Sequence, residues 1–242
     1  MTLAGLRVLV TRAAEDAPEL EALLRERGAA PVRMPCIAFE DGPDTARIAA
    51  AVRNGEADLV VVSSPHAARR LLALCGPLRV PVAAVGAATA RELSGEVLVP
   101  SQGTGAEALL EELRGRVKGR RVLVPRAEGG NPALVDGLRE AGAQVEALTL
   151  YRTVTARRAA APGLLALREG AIDAISFASG SAAHGFVALA GVDAQGRAAV
   201  ACMGKQCARE AAAVGLRVNA VADGGLAELC EAVALAVQQR KR

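Results

Sequence analysis

The heptapeptide RVLVTRA at Arg7–Ala13 returns 114 residues later as RVLVPRA at Arg121–Ala127, so the chain has to fold as two versions of one design. The same offset carries Leu20 onto Leu134, Leu24 onto Leu138, and Gly28-Ala29 onto Gly142-Ala143. At an offset of 115, Asp58, Ser64, Ala67-Ala68 and Gly76 fall on Asp173, Ser179, Ala182-Ala183 and Gly191. A third block pairs Gly86 with Gly204 and Ala90-Arg91-Glu92 with Ala208-Arg209-Glu210. Each copy is long enough to bury a core of its own. A paired design leaves a cleft between the copies as the natural place for a ligand.

Short aliphatic runs alternate with amphipathic helical patterns, the mark of βα units and parallel sheets. The periodicity predicts strands at Leu6–Val10, Leu59–Val62, Pro81–Val85 and Val97–Val99 in the first copy. Helices follow at Ala17–Arg27, after Ser63-Ser64-Pro65 to about Leu74, at Ala88–Leu93 and at Ala106–Arg114. The second copy repeats the steps with strands at Val122–Val124, Ala174–Phe177, Ala199–Met203 and Arg217–Val221. Between the first and second step of each copy runs an extended stretch without a helix signal, Val32–Phe39 and Val145–Val154. If these stretches connect domains, the first βα unit of each copy docks on the other copy. A linear split near residue 118 fits the repeat equally well.

Hydrophobic residues make up 52% of the chain, ordinary for packed helices and parallel strands. Only Lys118, Lys205 and Lys241 stand among its 29 basic residues, and that arginine preference suits carboxylate or phosphate binding as well as a solvated surface. A net charge of +3, four aromatic residues and one basic run, Arg240-Lys241-Arg242, speak against nucleic acid as a partner. Five cysteines without a CxxC read as reduced, mostly buried thiols. No apolar run reaches the length of a membrane span, and the N-terminus enters a strand without a signal-peptide pattern. A cytoplasmic protein is expected.

Ligands of open parallel sheets bind beyond the carboxyl ends of the strands, which directs attention to the loops there. Ser63-Ser64-Pro65 and Ser179-Gly180-Ser181 place hydroxyls at helix N-caps, where free N–H groups attract carboxylates; capping alone would also explain them. Gly86 with Thr89, and Gly204, open strand-to-helix turns that either admit a ligand to the backbone or merely permit the turn. Gly103–Ala108 fits GxGxxA but lacks the acidic partner of a dinucleotide site and reads as a helix cap. His66 and His184 have no metal-ligand spacing and read as helix-surface residues. Tyr151, the sole tyrosine, lies on a connector; its phenol could donate a proton to a departing hydroxyl or simply pack at a hinge.

Taken in order, VLVTRA (8–13), DLVVVSSPHAA (58–68), AAVGAATARELS (83–94) and VLVPRAEGG (122–130) resemble the uroporphyrinogen-III synthase family. LTLYRTV (148–154), DAISFASGSAA (173–183) and MGKQCARE (203–210) continue the resemblance across the chain. It implies two similar parallel-sheet α/β domains with an interleaved first βα unit, joined by a two-stranded β connector. The implied domains are 1–36 with 154–242, and 39–149, with connectors at about 33–39 and 148–154. The implied reaction closes linear hydroxymethylbilane to uroporphyrinogen III, losing water and inverting ring D through a spiro intermediate, without cofactor or metal. The resemblance further implies a monomer acting on a small molecule, handed over by hydroxymethylbilane synthase. Tyr151 matches the tyrosine that assists loss of the hydroxyl. Thr11, Arg12, Ser63, Ser64, Gly86, Thr89, Arg126, Ser179, Ser181 and Gly204 fall at the loops that would meet the substrate and its eight carboxylates. Gly180, Cys207 and Asn131 depart from the pattern, where proline, threonine and arginine are frequent. The competing expectation is a two-domain small-anion binding or sensor protein without turnover; a nucleotide-dependent enzyme is disfavoured by the missing phosphate motifs.

Overall fold

The computed structural model describes residues 2–157 and 161–240. Contacts divide the chain into two compact units, Met1–Phe39 with Thr153–Arg242, and Glu40–Arg152.

The chain begins with β1 (Arg7–Val10), α1 (Ala17–Glu26) and β2 (Ala30–Arg33). It then supplies β3 (Ile37–Asp41), α2 (Thr45–Arg53), β4 (Leu59–Val62), α3 (Pro65–Cys75), β5 (Val82–Ala84) and α4 (Ala87–Ala90). Next come β6 (Val97–Leu98), α5 (Ala106–Leu113), β7 (Arg121–Ala127), α6 (Ala133–Glu140) and β8 (Gln144–Thr155). The last stretch holds α7 (Ala161–Arg168), β9 (Ala174–Phe177), α8 (Gly180–Ala190), β10 (Ala199–Met203), α9 (Gly204–Ala213), β11 (Ala220–Ala222) and α10 (Leu226–Arg240).

The first unit's sheet has the order β11-β10-β9-β1-β2, and the second unit's has β3-β8-β7-β4-β5-β6. Translated through the repeat, the two orders agree apart from β3, an added edge strand of the six-stranded sheet: β1 with β2 in one sheet stands where β7 with β8 stands in the other. The register agrees residue by residue. Arg7 to Val10 face Ala30 to Arg33, and Arg121 to Val124 face Gln144 to Ala147, each pairing displaced by 114. The exchange is explicit in the ladders: β1 of the first copy pairs in parallel with β9 of the second, and β4 of the first with β7 of the second. The expected fold class, with its interleaved first βα unit, is therefore the observed one.

Burial explains why these runs become strands. Val8 and Val10 join Leu20, Leu24, Leu229 and Val233 on one face of the first sheet, while Leu9 joins Ile175, Phe177, Phe186 and Val200 on the other. A strand covered on both faces needs a continuous apolar run, and each such side chain taken from water contributes roughly 1.5–3 kcal/mol. In the second unit Leu59, Val61, Val122 and Val124 pack with Leu109, Leu113, Leu134 and Leu138.

The repeated polar residues hold the exchange at the amino edge. Asp58 Oδ2 accepts from the Arg121 N–H at 2.8 Å, and Asp173 Oδ2 accepts from the Arg7 N–H at 2.8 Å. Each aspartate thus clips the other copy's first strand. Gly28 and Gly142 adopt φ of +85° and +86° where α1 and α6 end, a conformation that favours glycine. Hydrogen bonding from the Arg121 side chain, then from its backbone N–H, lowers the Asp58 carboxyl from 3.8 to about 2. Its stabilising contribution is therefore complete above about pH 4 and lost as pH falls toward 2. Urea midpoints should show Asp58→Asn less stable than wild type at neutral pH, with the gap closing across that window. A gap that stays constant down to pH 2 would refute the linkage.

Several boundaries differ from the sequence reading. The stretch Val32–Phe39 is not one strand: β2 and β3 go to different sheets, with Met34–Cys36 between them, whereas the matching β8 runs unbroken for 12 residues. Pro31 sits in β2, an edge strand, where a missing N–H is tolerated. The strand expected from Arg217 begins only at Ala220. Side chains hold the preceding residues: the Arg217 N–H donates to Gln195 Oε1 at 2.9 Å, and Asn219 Oδ1 accepts from the Val200 N–H at 2.8 Å. Helices α2 and α7, at equivalent places of the two copies, lie where the sequence reading placed no helix, while α10 completes the fourth step of the second copy. Of the terminal basic run, Lys241 and Arg242 lie outside the described residues. Among the described residues no helix is long and apolar enough to cross a membrane.

Candidate functional site

In the first unit the strand order turns between β1 and β9, the switch point where parallel sheets open to ligands. Thr11 follows β1 and is fully buried, with its hydroxyl donating to the Ser176 carbonyl at 2.7 Å; Ser176 Oγ donates back to the Leu9 carbonyl at 2.8 Å. The pair locks the two strand ends together. Next along the chain, Arg12 keeps Asp16 and Glu19 at 3.8 and 3.9 Å, beyond hydrogen-bond reach. Its Nη1 is buried and takes no hydrogen-bond partner among the described residues. Ser179 caps α8, its Oγ accepting from the Ala182 N–H at 3.3 Å, and Ser181 is exposed on the first turn. Gly204 opens α9 with φ of +80° and so requires glycine by conformation.

The second unit has the matching switch point between β7 and β4. Arg126, near the end of β7, packs against Gly130, with no ion pair or hydrogen bond to a described residue. Ser64 caps α3 by accepting from the Ala67 N–H at 3.1 Å, in backbone conformation almost superimposable on that of Ser179 (φ and ψ of −160° and 155° against −155° and 156°). Ser63 precedes it, exposed. Gly86 is extended and caps α4, whose Thr89 is buried. Arg12 and Arg126 contrast with Arg33, Arg47 and Arg121, whose carboxylate partners lie within 2.9 Å.

Tyr151 follows a bulge. Arg126 faces Thr149 but Ala127 faces Tyr151, leaving Leu150 as the extra residue. The bulge lets two consecutive side chains turn inward, and Leu150 and Tyr151 are 1% and 8% exposed. The Tyr151 ring lies 4.6 Å from that of His66 on α3, edge to face at 65°, and the Arg70 guanidinium carbon lies 5.9 Å from its centroid. His66 is therefore no helix-surface residue, as its sequence position suggested: both its ring nitrogens are buried. Its one visible signal was the four-residue spacing from Arg70, which puts both on one helix face. His184 is exposed.

The three departures from the family pattern have local causes. Gly180 lies under the Glu210 side chain, where a larger residue would collide. Asn131 Oδ1 accepts from the Ala133 N–H at 2.9 Å, capping α6. Cys207 is buried, its thiol donating to the Phe177 carbonyl at 3.5 Å. A hydrogen bond with Cys207, then burial, raises the Cys202 thiol, and burial alone pushes Cys36 up to about 12. Such thiols remain protonated and do not act as nucleophiles. Gly105 of the GxGxxA stretch caps α5. Among the described residues no group of three His, Cys, Asp or Glu could hold a metal ion.

Open grooves of about 520 and 620 Å³ lie at the amino edges, away from all these residues. The first is lined by Arg47, Glu56, Arg121 and Glu146, and ion pairs largely cancel its charge. The second holds Arg197, Arg217 and Arg240, of which Arg217 and Arg240 donate to backbone carbonyls. Arg12 and Arg126 stand instead at the carboxyl edges, after β1 and near the end of β7.

The family model described as uroporphyrinogen-III synthase HemD matches residues 18–225. The chain is 30% identical over 224 residues to the chloroplastic uroporphyrinogen-III synthase of Oryza sativa, covering 87% of this chain and 73% of that one. It is 30% identical over 226 residues to uroporphyrinogen-III synthase of Synechococcus elongatus, covering 84% of both chains. The fold is similar to that of uroporphyrinogen-III synthetase from Helicobacter pylori, with a TM-score of 0.63 at 16% identity, over 98% of this chain and all of that one. Repeat, sheet order and sequence relatives agree, and the chain belongs to the uroporphyrinogen-III synthase family.

Proposed function

We propose that the protein is a lyase that cyclises hydroxymethylbilane to uroporphyrinogen III, and that Tyr151, Arg12 and Arg126 carry its chemistry. The observation that supports this most is the pair of arginines at equivalent carboxyl edges, neither within hydrogen-bond reach of a carboxylate among the described residues. A guanidinium held partly out of water gains most from an incoming carboxylate. The N-terminal turns capped by Ser64 and Ser179 supply further N–H donors, with Ser63 and Ser181 exposed beside them. Gly86 and Thr89 stand at the carboxyl edge of the second unit's sheet and Gly204 at that of the first unit's, and Thr11 acts through the strand end that it ties down.

The reaction needs little functional-group catalysis. The departing hydroxyl takes a proton and leaves as water while a pyrrole nitrogen supplies electrons, giving an azafulvenium electrophile. Tyr151 is the donor in this scheme. Ring D then attacks through its substituted carbon to form a spiro intermediate, which fragments and recloses inverted; loss of a proton restores the pyrrole. The protein's main contribution is to hold a flexible chain in that geometry. The protein works as a cytoplasmic monomer and receives its unstable substrate from hydroxymethylbilane synthase.

Purified protein supplied with hydroxymethylbilane should yield uroporphyrinogen III, separated by isomer from the uroporphyrinogen I of the uncatalysed control. Isomer I alone would end the proposal. Arg12→Ala and Arg126→Ala should each lower kcat/KM by about ten- to a hundredfold, mostly through KM, the worth of roughly 1.5–3 kcal/mol for a hydrogen bond to a charged group. Arg114→Ala, which removes only a surface pair with Glu111, should leave both constants unchanged. Equal effects from all three would remove the two arginines from substrate binding.

A further inference from the structure

The contacts around Tyr151 go beyond what the fold requires. His66 follows the Ser64 cap on the first turn of α3, and Arg70 stands one turn further on the same face. The His66 ring meets Tyr151 edge to face at 4.6 Å, within the range that aromatic pairs prefer. Arg70 lies 5.9 Å from the same ring, at the outer reach of a cation–π contact. Arg70 is itself steadied, its Nη2 donating to Asp41 Oδ1 at 2.6 Å, and Asp41 ends β3, the strand beside β8. One tyrosine ring is thus held from a helix, and that helix residue is tied to the neighbouring strand, all within the second unit.

The repeat provides an internal comparison. At the places of His66, Arg70 and Tyr151 the other copy has Ser181, Gly185 and Ile37. There the backbone closes the space: a Cβ on Gly185 would collide with the Cys36 carbonyl oxygen. Helix α8 and the chain between β2 and β3 therefore approach backbone to backbone at Gly185, with no ring at any of the three matching places. A bland packing role for the trio would have been met by the arrangement the first unit already uses. The second unit instead inserts a phenol, an imidazole and a guanidinium.

We infer that His66 and Arg70 are positioning residues that fix the orientation of the Tyr151 phenol. His66 supplies the wall and Arg70, anchored on Asp41, the second contact. The inference rests on the proposed part of Tyr151 in loss of the hydroxyl, but its first test does not. The chain has one tyrosine and no tryptophan, so tyrosine emission and the tyrosine near-ultraviolet dichroism report on Tyr151 alone. Fixed rings give that band and loosened ones lose it.

In the full-length protein, His66→Ala should at least halve the tyrosine dichroism and raise collisional quenching of its emission, with far-ultraviolet dichroism unchanged. Turnover should fall about five- to twentyfold in kcat with KM within about twofold, as expected for a displaced rather than a missing group. His66→Phe restores an edge-on ring and should recover both the band and kcat to within about twofold of wild type. Arg70→Gln, with a smaller effect in the same direction, serves should His66→Ala fail to fold. In the Tyr151→Phe background His66→Ala should cost nothing further in kcat. A band and kcat both unmoved in His66→Ala would overturn the inference. So would a kcat loss that His66→Phe leaves uncorrected, or one that persists undiminished in the double variant. If the band collapses as expected while Tyr151→Phe turns over like wild type, the positioning stands and the role assigned to the phenol falls.

Discussion

Tyr151→Phe should lower kcat by about a hundred- to a thousandfold, the lower part of the range for a positioned general acid, while leaving KM almost unchanged. The substitution is clean because phenylalanine keeps the ring that meets His66 at 4.6 Å and follows the same bulge at Leu150. Only the hydroxyl is removed, so the change in unfolding free energy should stay within about 0.5–1.5 kcal/mol. Product analysis sharpens the readout. Slower enzymatic closure leaves more hydroxymethylbilane to the uncatalysed route, so the ratio of isomer III to isomer I should fall as enzyme is diluted. A kcat equal to wild type would show that the leaving hydroxyl takes its proton elsewhere. A rise in KM with kcat intact would make the phenol a binding contact instead.

Much of the architecture was legible because its signals are local. RVLV at Arg7–Val10 reads as a strand since Val8, Leu9 and Val10 are all buried between two helical layers, and the same holds for Val122–Val124. Gly28-Ala29 and Gly142-Ala143 read as helix stops because the backbone there has positive φ. The interleaving was not local. Nothing near Arg7 states that its N–H bonds to Asp173, and the repeat fitted a linear split equally well until the family resemblance decided it. Helix α10, the helix of the second copy's fourth step, had no bounds in the sequence for a related reason: Ala232, Val233, Ala234, Ala236 and Val237 are all buried, so its apolar residues wrap around it rather than forming one stripe.

The candidate site was legible where capping chemistry marks it and illegible where packing makes it. Ser64 and Ser179 announce themselves as caps, and they are caps. Thr11 was expected to meet the substrate, yet its proton is spent on Ser176, a residue 165 positions away. His66 looked like a surface residue of a first helical turn; only β8, arriving more than eighty residues later with a bulge, gives it a neighbour. Residue type predicts which groups can do chemistry. Which of them are free to do it depends on long-range partners that no short motif encodes.

Gly185→Ala should destabilise the first unit by about 3 kcal/mol or more, although helix propensity alone predicts a gain of roughly 0.8–1 kcal/mol for replacing a mid-helix glycine. Packing wins because the atom in the way is backbone. The Cys36 carbonyl would collide with the new methyl group, and it is pinned: its oxygen accepts from the Ala156 N–H at 3.1 Å, while the Cys36 N–H donates to the Thr11 carbonyl at 3.0 Å. Relief requires moving either the α8 axis or the chain between β2 and β3. Gly137→Ala in α6 is the matching control. There the atoms nearest the new Cβ all belong to the Leu110 side chain, and a partly exposed leucine can change rotamer. Propensity and displacement then offset each other, and the change should stay within about 1 kcal/mol of zero. Urea unfolding of the two variants separates these outcomes directly. Equal stabilities would mean that no carbonyl closes on α8, and with it would go the contrast between Gly185 in one copy and Arg70 in the other. A large loss for Gly185→Ala alone would show that equivalent positions of one repeated design have been given opposite tasks: closure of the backbone in the first unit, and a polar contact with Tyr151 in the second.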